Sequence, residues 1–209
     1  MPRFKRAAAS DSFAASAVLN STSASFSFLS PGFSDNARRL IEDPRRAREA
    51  FAPEFSFTSR EGEFISLDEL KGRTVLLDFW GSWCGPCVQA TPGLIKLRRK
   101  FTGQPVIFVG IARDEQAKWS TYLEKNNMDW PQYLDTESRV IRLFRVEAYP
   151  TYIVLDGDGI IRARKSGYGS DSERWLESEI KKTEESLKRP AILTVDAPVP
   201  PPRCPAKLP

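Results

Sequence analysis

The stretch Thr74-Val-Leu-Leu-Asp-Phe-Trp-Gly-Ser-Trp-Cys-Gly-Pro-Cys87 constrains this chain more than any other. Val75, Leu76 and Leu77 lead through Asp78, Phe79 and Trp80 as one apolar, partly β-branched and aromatic run, which predicts a strand buried on both faces of a sheet. Gly81 and Ser82 break the run. Cys84-Gly85-Pro86-Cys87 follows where a helix should begin, and Pro86 suits the first turn because its missing N–H has no helical partner there. A strand thus delivers two thiols to a helix N-terminus, whose free N–H groups and dipole favour an anion. Cys84 is therefore expected to ionise below the ~8.5 of a free thiol. The thiolate is the attacking species in disulfide exchange. With two residues between them, Cys87 lies one turn further in, close enough to form a disulfide with Cys84. Cys84 would attack and Cys87 would resolve.

Composition narrows the alternatives. A chain of 209 residues, 41% of them hydrophobic, can bury one core of ordinary size, so one folded domain is expected. Lys and Arg number 31 against 27 Asp and Glu, a net charge of +4. These charges are interspersed, so nucleic acid is not an expected partner. No apolar run approaches the ~18 residues of a membrane span. The absence of histidine excludes Ser-His and Cys-His nucleophile pairs and most mixed zinc sites. The third cysteine, Cys204, lies in a distant proline-rich tail, so a disulfide-stapled scaffold is not expected. A zinc site would need a second cysteine pair or histidines, and neither is present. No metal and no cofactor are expected.

Taken in order, residues 1–34 are serine- and alanine-rich and basic at the start, which reads as a disordered or targeting segment. Residues 35–52 form a helical lead-in split by Pro44, with an arginine cluster from Arg38 to Arg48. The folded domain spans 53–189. It opens with a hairpin, Phe55–Phe57 and Phe64–Ser66, and Ser66-Leu-Asp-Glu69 then caps one helical turn. Strand 74–80, a helix from Gly85 to Phe101 and strand 106–112 make a parallel βαβ unit. On that helix Val88, Leu94, Ile95 and Leu97 are expected inside. A helix over 115–126, a short strand 132–134 and a helix over 136–144 follow. Tyr152–Leu155 and Ile160–Lys165 form a hairpin around Asp156-Gly-Asp-Gly159, which lacks the oxygen ligands of a calcium loop at its fifth and twelfth positions. Ser170-Asp-Ser-Glu173 is a second capping box, opening the last helix. Residues 190–209 are a proline-rich tail expected to be disordered.

The run Asp78–Cys87, Pro92, and Tyr149-Pro150-Thr151 before a strand together resemble the thioredoxin superfamily. Within it the chain looks most like thiol-disulfide oxidoreductases of the TlpA and ResA type, on the leading segment 55–70 and the extra region 119–144. The resemblance implies an α/β, thioredoxin-like three-layer fold: a central mixed sheet flanked by helices, with an added N-terminal hairpin and a central insertion. It implies exchange with protein thiols and disulfides, an upstream redox donor, and a cell-envelope or periplasmic location. A cytoplasmic or organellar location is the alternative, because no clear signal peptide is seen. The expected state is a monomer.

The same resemblance assigns roles. Asp78, a carboxylate in a buried strand and costly there unless protonated or paired, would take and return the Cys87 proton. The other reading is a tolerated structural acid. Tyr149-Pro150 would be a cis peptide that offers the Tyr149 backbone to an extended substrate, the plainer reading being a strand-initiating proline. Trp83, Gly85 and Pro86 form the active-site loop, with Trp83 on its rim and Trp80 in the core. The Gly85-Pro86 dipeptide leans the pair towards reduction of its partners. One departure stands out: the glutamate that the ResA branch carries after the second cysteine is matched by Ala90, which counts against a dedicated cytochrome-maturation role. Two other readings compete, a thiol peroxidase of peroxiredoxin type and a non-catalytic adaptor on the same fold.

Overall fold

The computed structural model describes residues 35–188, with side-chain environments from residue 39 onward. The expectations for residues 1–34, for the tail and for Cys204 lie outside the described residues. The chain divides between Asp43 and Pro44 into two compact units. The described part of the first is helix α1, Asp35–Glu42.

In the second unit a 3₁₀ turn, Pro44–Ala47, leads into the strands β1, Ser56–Thr58, and β2, Phe64–Ser66, which pair antiparallel. Then come β3 (Thr74–Trp80), α2 (Gly85–Lys100), β4 (Val106–Ala112), α3 (Gln116–Asn126), β5 (Gln132–Leu134), α4 (Arg139–Leu143), β6 (Thr151–Leu155), β7 (Ile161–Ser166) and α5 (Ser172–Lys188). The five main strands lie in the order β5-β4-β3-β6-β7, with β3, β4 and β5 parallel and β6 antiparallel to both of its neighbours. This is the mixed sheet of a thioredoxin-like fold. Residues before Pro53 also run along it: Phe51 bridges Ile160, and Ala50 and Ala52 exchange backbone bonds with Ile161 and Gly159.

Every residue of β3 is buried, as its continuous apolar run requires. The period-2 alternation of a strand divides it between two cores. Leu76 and Trp80 face α2, α3 and α5, whose Leu94, Leu97, Trp119, Leu123, Leu176 and Ile180 cover that side. Val75, Leu77 and Phe79 face α4 and the β1–β2 hairpin, through Val140, Ile141, Phe144, Phe55 and Phe57. Burying each such side chain contributes about 1.5–3 kcal/mol, so the central strand is held from both faces. The hairpin also shields the β5 edge: Phe57 stacks on Tyr133 at 4.4 Å and Arg60 N–H donates to the Gln132 carbonyl at 2.8 Å.

Four local expectations need correction. Helix α4 begins at Arg139, not Thr136, because the buried Asp135 carboxylate accepts the N–H groups of Arg139 and Ile141, both at 2.8 Å, and Ser138 turns with φ 54°. Residues 67–70 form a turn rather than a helix. Ser66 Oγ does accept from Glu69 N–H at 3.3 Å, but Gly72 reverses the chain at φ 76° before a helix can propagate. Helix α5 starts at Ser172, whose Oγ accepts from Gly169 N–H at 2.9 Å, so Ser170 does not cap it. Val88 is 40% exposed. The inward stripe of α2 runs Cys87, Ala90, Thr91, Leu94, Leu97, and Val88 is rotated about 100° from Cys87 around the helix.

Candidate active site

Cys84 is the N-cap of α2, with extended backbone (φ −86°, ψ 107°), and its Sγ accepts from Cys87 N–H at 3.2 Å. The strand β3 stops one turn earlier, so the apolar run itself carries the thiols to the C-terminal end of the sheet. Cys84 and Cys87 are joined by a disulfide, with Sγ–Sγ 2.18 Å and Cα–Cα 5.2 Å. The two are buried to similar degrees, 5% and 3% exposed, so in this state burial barely separates the attacking from the resolving sulfur. Their positions do: Cys84 stands at the helix end beside exposed Trp83, Gly85 and Pro86, while Cys87 begins the inward stripe.

The loop carrying Trp83 is tied down by the segment after β4. Arg113 N–H donates to the Trp80 carbonyl at 3.0 Å, Ser82 N–H donates to the Asp114 carboxylate at 2.5 Å, and Trp83 Nε1–H donates to the Arg113 carbonyl at 2.7 Å. Trp83 remains 59% exposed and meets Tyr149 edge-on, with ring centroids 5.4 Å apart. The Tyr149–Pro150 bond is cis. The structure thus brings Trp83 and Tyr149 together in one apolar rim beside the disulfide. A shallow groove of about 420 Å³ adjoins Ser82 and runs along α3, lined by Ala117, Lys118, Thr121, Tyr122 and Lys125.

The face of β3 that carries the cysteine cluster is buried. Asp78 is 3% exposed, and its Oδ1 has no hydrogen-bond partner. Alternation puts it on the same face as Leu76, Trp80 and the cysteine cluster. Burial pushes its pKa from 3.8 up to about 7, because a charged carboxylate loses its hydration there. A polar thread follows α2 beside it: Thr91 Oγ1 donates to the Cys87 carbonyl at 3.1 Å and lies 2.9 Å from Tyr122 Oη. Tyr122 packs against Trp80 with centroids 5.3 Å apart, and Trp80 Nε1–H donates to Gln132 Oε1 at 3.2 Å.

Gln132, Gly110 and Asp114 are contributors that sequence reasoning misses. A glycine in the middle of the apolar run 106–112 is the available signal, since it marks a place where something approaches the backbone closely. Among the described residues no group of His, Cys, Asp and Glu is placed to hold a metal, and no helix is long and apolar enough to cross a membrane.

The model of the AhpC/TSA family matches residues 49–164. The chain belongs to the AhpC/TSA family. Thiol-disulfide oxidoreductase ResA of Bacillus cereus is 30% identical over 132 residues, covering 63% of this chain and 75% of that protein. Among solved structures, a thiol:disulfide interchange protein of the thioredoxin family from Chlorobium tepidum TLS aligns with TM-score 0.59 at 26% identity, over 66% of this chain and 97% of the other. StoA from Bacillus subtilis aligns with TM-score 0.55 at 25% identity, over 62% and 98%. The chain is accordingly a ResA-like protein of the thioredoxin superfamily, a thiol-disulfide oxidoreductase with its Cys84–Cys87 pair at disulfide distance.

Proposed function

We propose that this enzyme reduces disulfides in other proteins. The observation that carries the reading is Cys84 Sγ at the N-cap of α2, accepting a helix N–H and linked to Cys87 beside the exposed Trp83. In the reduced enzyme that N–H and the helix dipole stabilise a Cys84 thiolate. The thiolate attacks one sulfur of a partner disulfide. The partner S–S bond breaks, a Cys84–partner disulfide forms, and the partner's other sulfur leaves as a thiolate that takes a proton from water. Asp78, its carboxylate made basic by burial, accepts the Cys87 proton. The Cys87 thiolate then attacks Cys84 Sγ, closing the Cys84–Cys87 disulfide and releasing the second partner sulfur. Two electrons have passed to the partner, and an upstream dithiol returns them to the enzyme.

Trp83 and Tyr149 supply the apolar rim on which an extended peptide rests, and Pro150 sets the Tyr149 backbone beside the disulfide for strand-like pairing. Gly85 and Pro86 complete the exposed loop. The enzyme acts in the cell envelope, a reading supported by its resemblance to the ResA type, and it acts as a monomer. Fractionation of the native host and light scattering of the purified protein test those two points.

The test of the chemistry is a Cys87→Ser, Cys204→Ser variant, reduced and offered a disulfide-bonded protein substrate. The expected product is a substrate adduct through Cys84, visible on a non-reducing gel and mapped by mass spectrometry. Absence of any Cys84 adduct would sink the exchange mechanism.

A further inference from the structure

The register of the sheet places four residues in one row beneath the cysteine pair. Gln132 of β5 is aligned with Gly110 of β4, Gly110 with Asp78 of β3, and Asp78 with Tyr152 of β6. Tyr152 belongs to the buried cluster that contains Cys84 and Cys87, and Phe108 and Ala112, two residues either side of Gly110, face the same way. Having no side chain, Gly110 leaves a gap in the row, and Gln132 fills it. Its Oε1, Cδ and Nε2 lie 2.0, 2.6 and 2.7 Å from where a Cβ on Gly110 would stand. The glutamine amide therefore lies across β4 towards Asp78.

The polar atoms of this row complement one another. Gln132 Oε1 already accepts from Trp80 Nε1–H, which fixes the amide so that Nε2 is free to donate. Gln132 Nε2, Tyr152 Oη and Asp78 Oδ1 all lack a hydrogen-bond partner, and the three residues are 0%, 0% and 3% exposed. Unsatisfied buried polar atoms are uncommon in folded proteins, and two donors flanking one acceptor call for a reason.

We propose that Gln132 and Tyr152 are positioning residues for Asp78, donating N–H and O–H to its carboxylate from the two flanking sides, directly or through one buried water, whenever Asp78 is charged and ready to take the Cys87 proton. Neighbouring strands are about 4.8 Å apart, so an amide lying over β4 and a phenol on β6 both approach the β3 carboxylate. A buried water with three such partners has the usual number of bonds. The other groups facing this region are Tyr122 of α3, held by Thr91; Lys165 of β7, next in the row and bonded to Asp171; and Tyr168 and Glu173 before and within α5, bonded to each other. None of these bonds engages the Asp78 carboxylate.

The inference rests on the exchange reading, in which Cys87 gives up a proton, but its test needs no turnover. Asp78 is titrated in the oxidised protein by NMR with ¹³C-labelled aspartate, and Asp78→Asn identifies its resonance. Donors to a carboxylate favour the charged form, so removing one raises the pKa. Tyr152→Phe keeps the ring and loses only the hydroxyl, and Gln132→Met keeps the length and loses the amide. Each is expected to move the Asp78 titration upward by about one pH unit, the effect of a hydrogen bond to a charged group. Thermal unfolding at about pH 5, where Asp78 is protonated in wild type and variant alike, checks folding; there Tyr152→Phe should unfold at the wild-type temperature, and it decides alone if Gln132→Met does not fold. An Asp78 titration that stays put or moves down overturns the inference. Absence of a Cys84 adduct overturns the exchange reading instead, and the two results are read separately.

Discussion

Replacing Asp78 by asparagine should stabilise the oxidised protein above neutral pH while crippling its chemistry. Asp78 is 3% exposed with an unpartnered Oδ1, and burial raises its pKa from 3.8 to about 7. In the unfolded chain the carboxyl titrates at about 3.9, so folding takes up a proton at pH values between the two. The contribution to stability is therefore full below the unfolded pKa and is lost as pH rises, levelling off once the folded carboxyl has ionised. The interval is about three pH units at about 1.4 kcal/mol each, so the charged form costs about 4 kcal/mol. Asparagine keeps the shape and carries no charge. The stability of Asp78→Asn minus that of wild type should grow by about 4 kcal/mol between about pH 4 and pH 8, equivalent to roughly 10 °C in Tm for a domain of this size. Guanidinium unfolding of the oxidised proteins across that range, in a Cys204→Ser background, measures the difference. A flat difference, or one that shrinks as pH rises, would refute the argument that Asp78 is held protonated by burial.

Two glycines make further tests. A Cβ on Gly110 would lie 2.0 Å from Gln132 Oε1, so Gly110→Ala must displace the amide and break its bond to Trp80, with an expected loss of about 1–3 kcal/mol in denaturant unfolding. On Gly81 a Cβ would lie 2.6 Å from Trp83 Nε1 and 2.9 Å from the Arg113 carbonyl, so Gly81→Ala should release Trp83 from that carbonyl. The expected result is a changed indole emission together with a fall in the rate of substrate reduction, read in the same stopped-flow experiment.

The parts of this fold that are legible in the sequence are those set by local pattern. The continuous apolar runs define β3 and β4 to the residue, and the break at Gly81–Ser82 followed by Cys-Gly-Pro-Cys places the thiols on a helix end. Asp78 is conspicuous because a carboxylate is out of place in such a run. What escapes depends on contacts distant in sequence or on a side chain replacing a local signal. The start of α4 is decided by Asp135 reaching forward to two amides, and its positive-φ neighbour is a serine, which carries no turn signature of the strength of glycine. Val88 looks like core by residue type, but the cysteine pair fixes the phase of α2 and turns it outward. Gln132 is an ordinary residue in a three-residue strand, and only the register that sets it beside Gly110 and Asp78 gives it a role.

The reduction potential of the Cys84–Cys87 pair tests the central claim most directly. The purified Cys204→Ser protein is equilibrated with graded dithiothreitol or glutathione buffers, and free thiols are trapped and counted. A single two-electron transition near about −270 mV or lower is the predicted result, the poise of a thiol pair that reduces its partners. A transition near about −120 mV would contradict the account and make the enzyme an oxidant that installs disulfides.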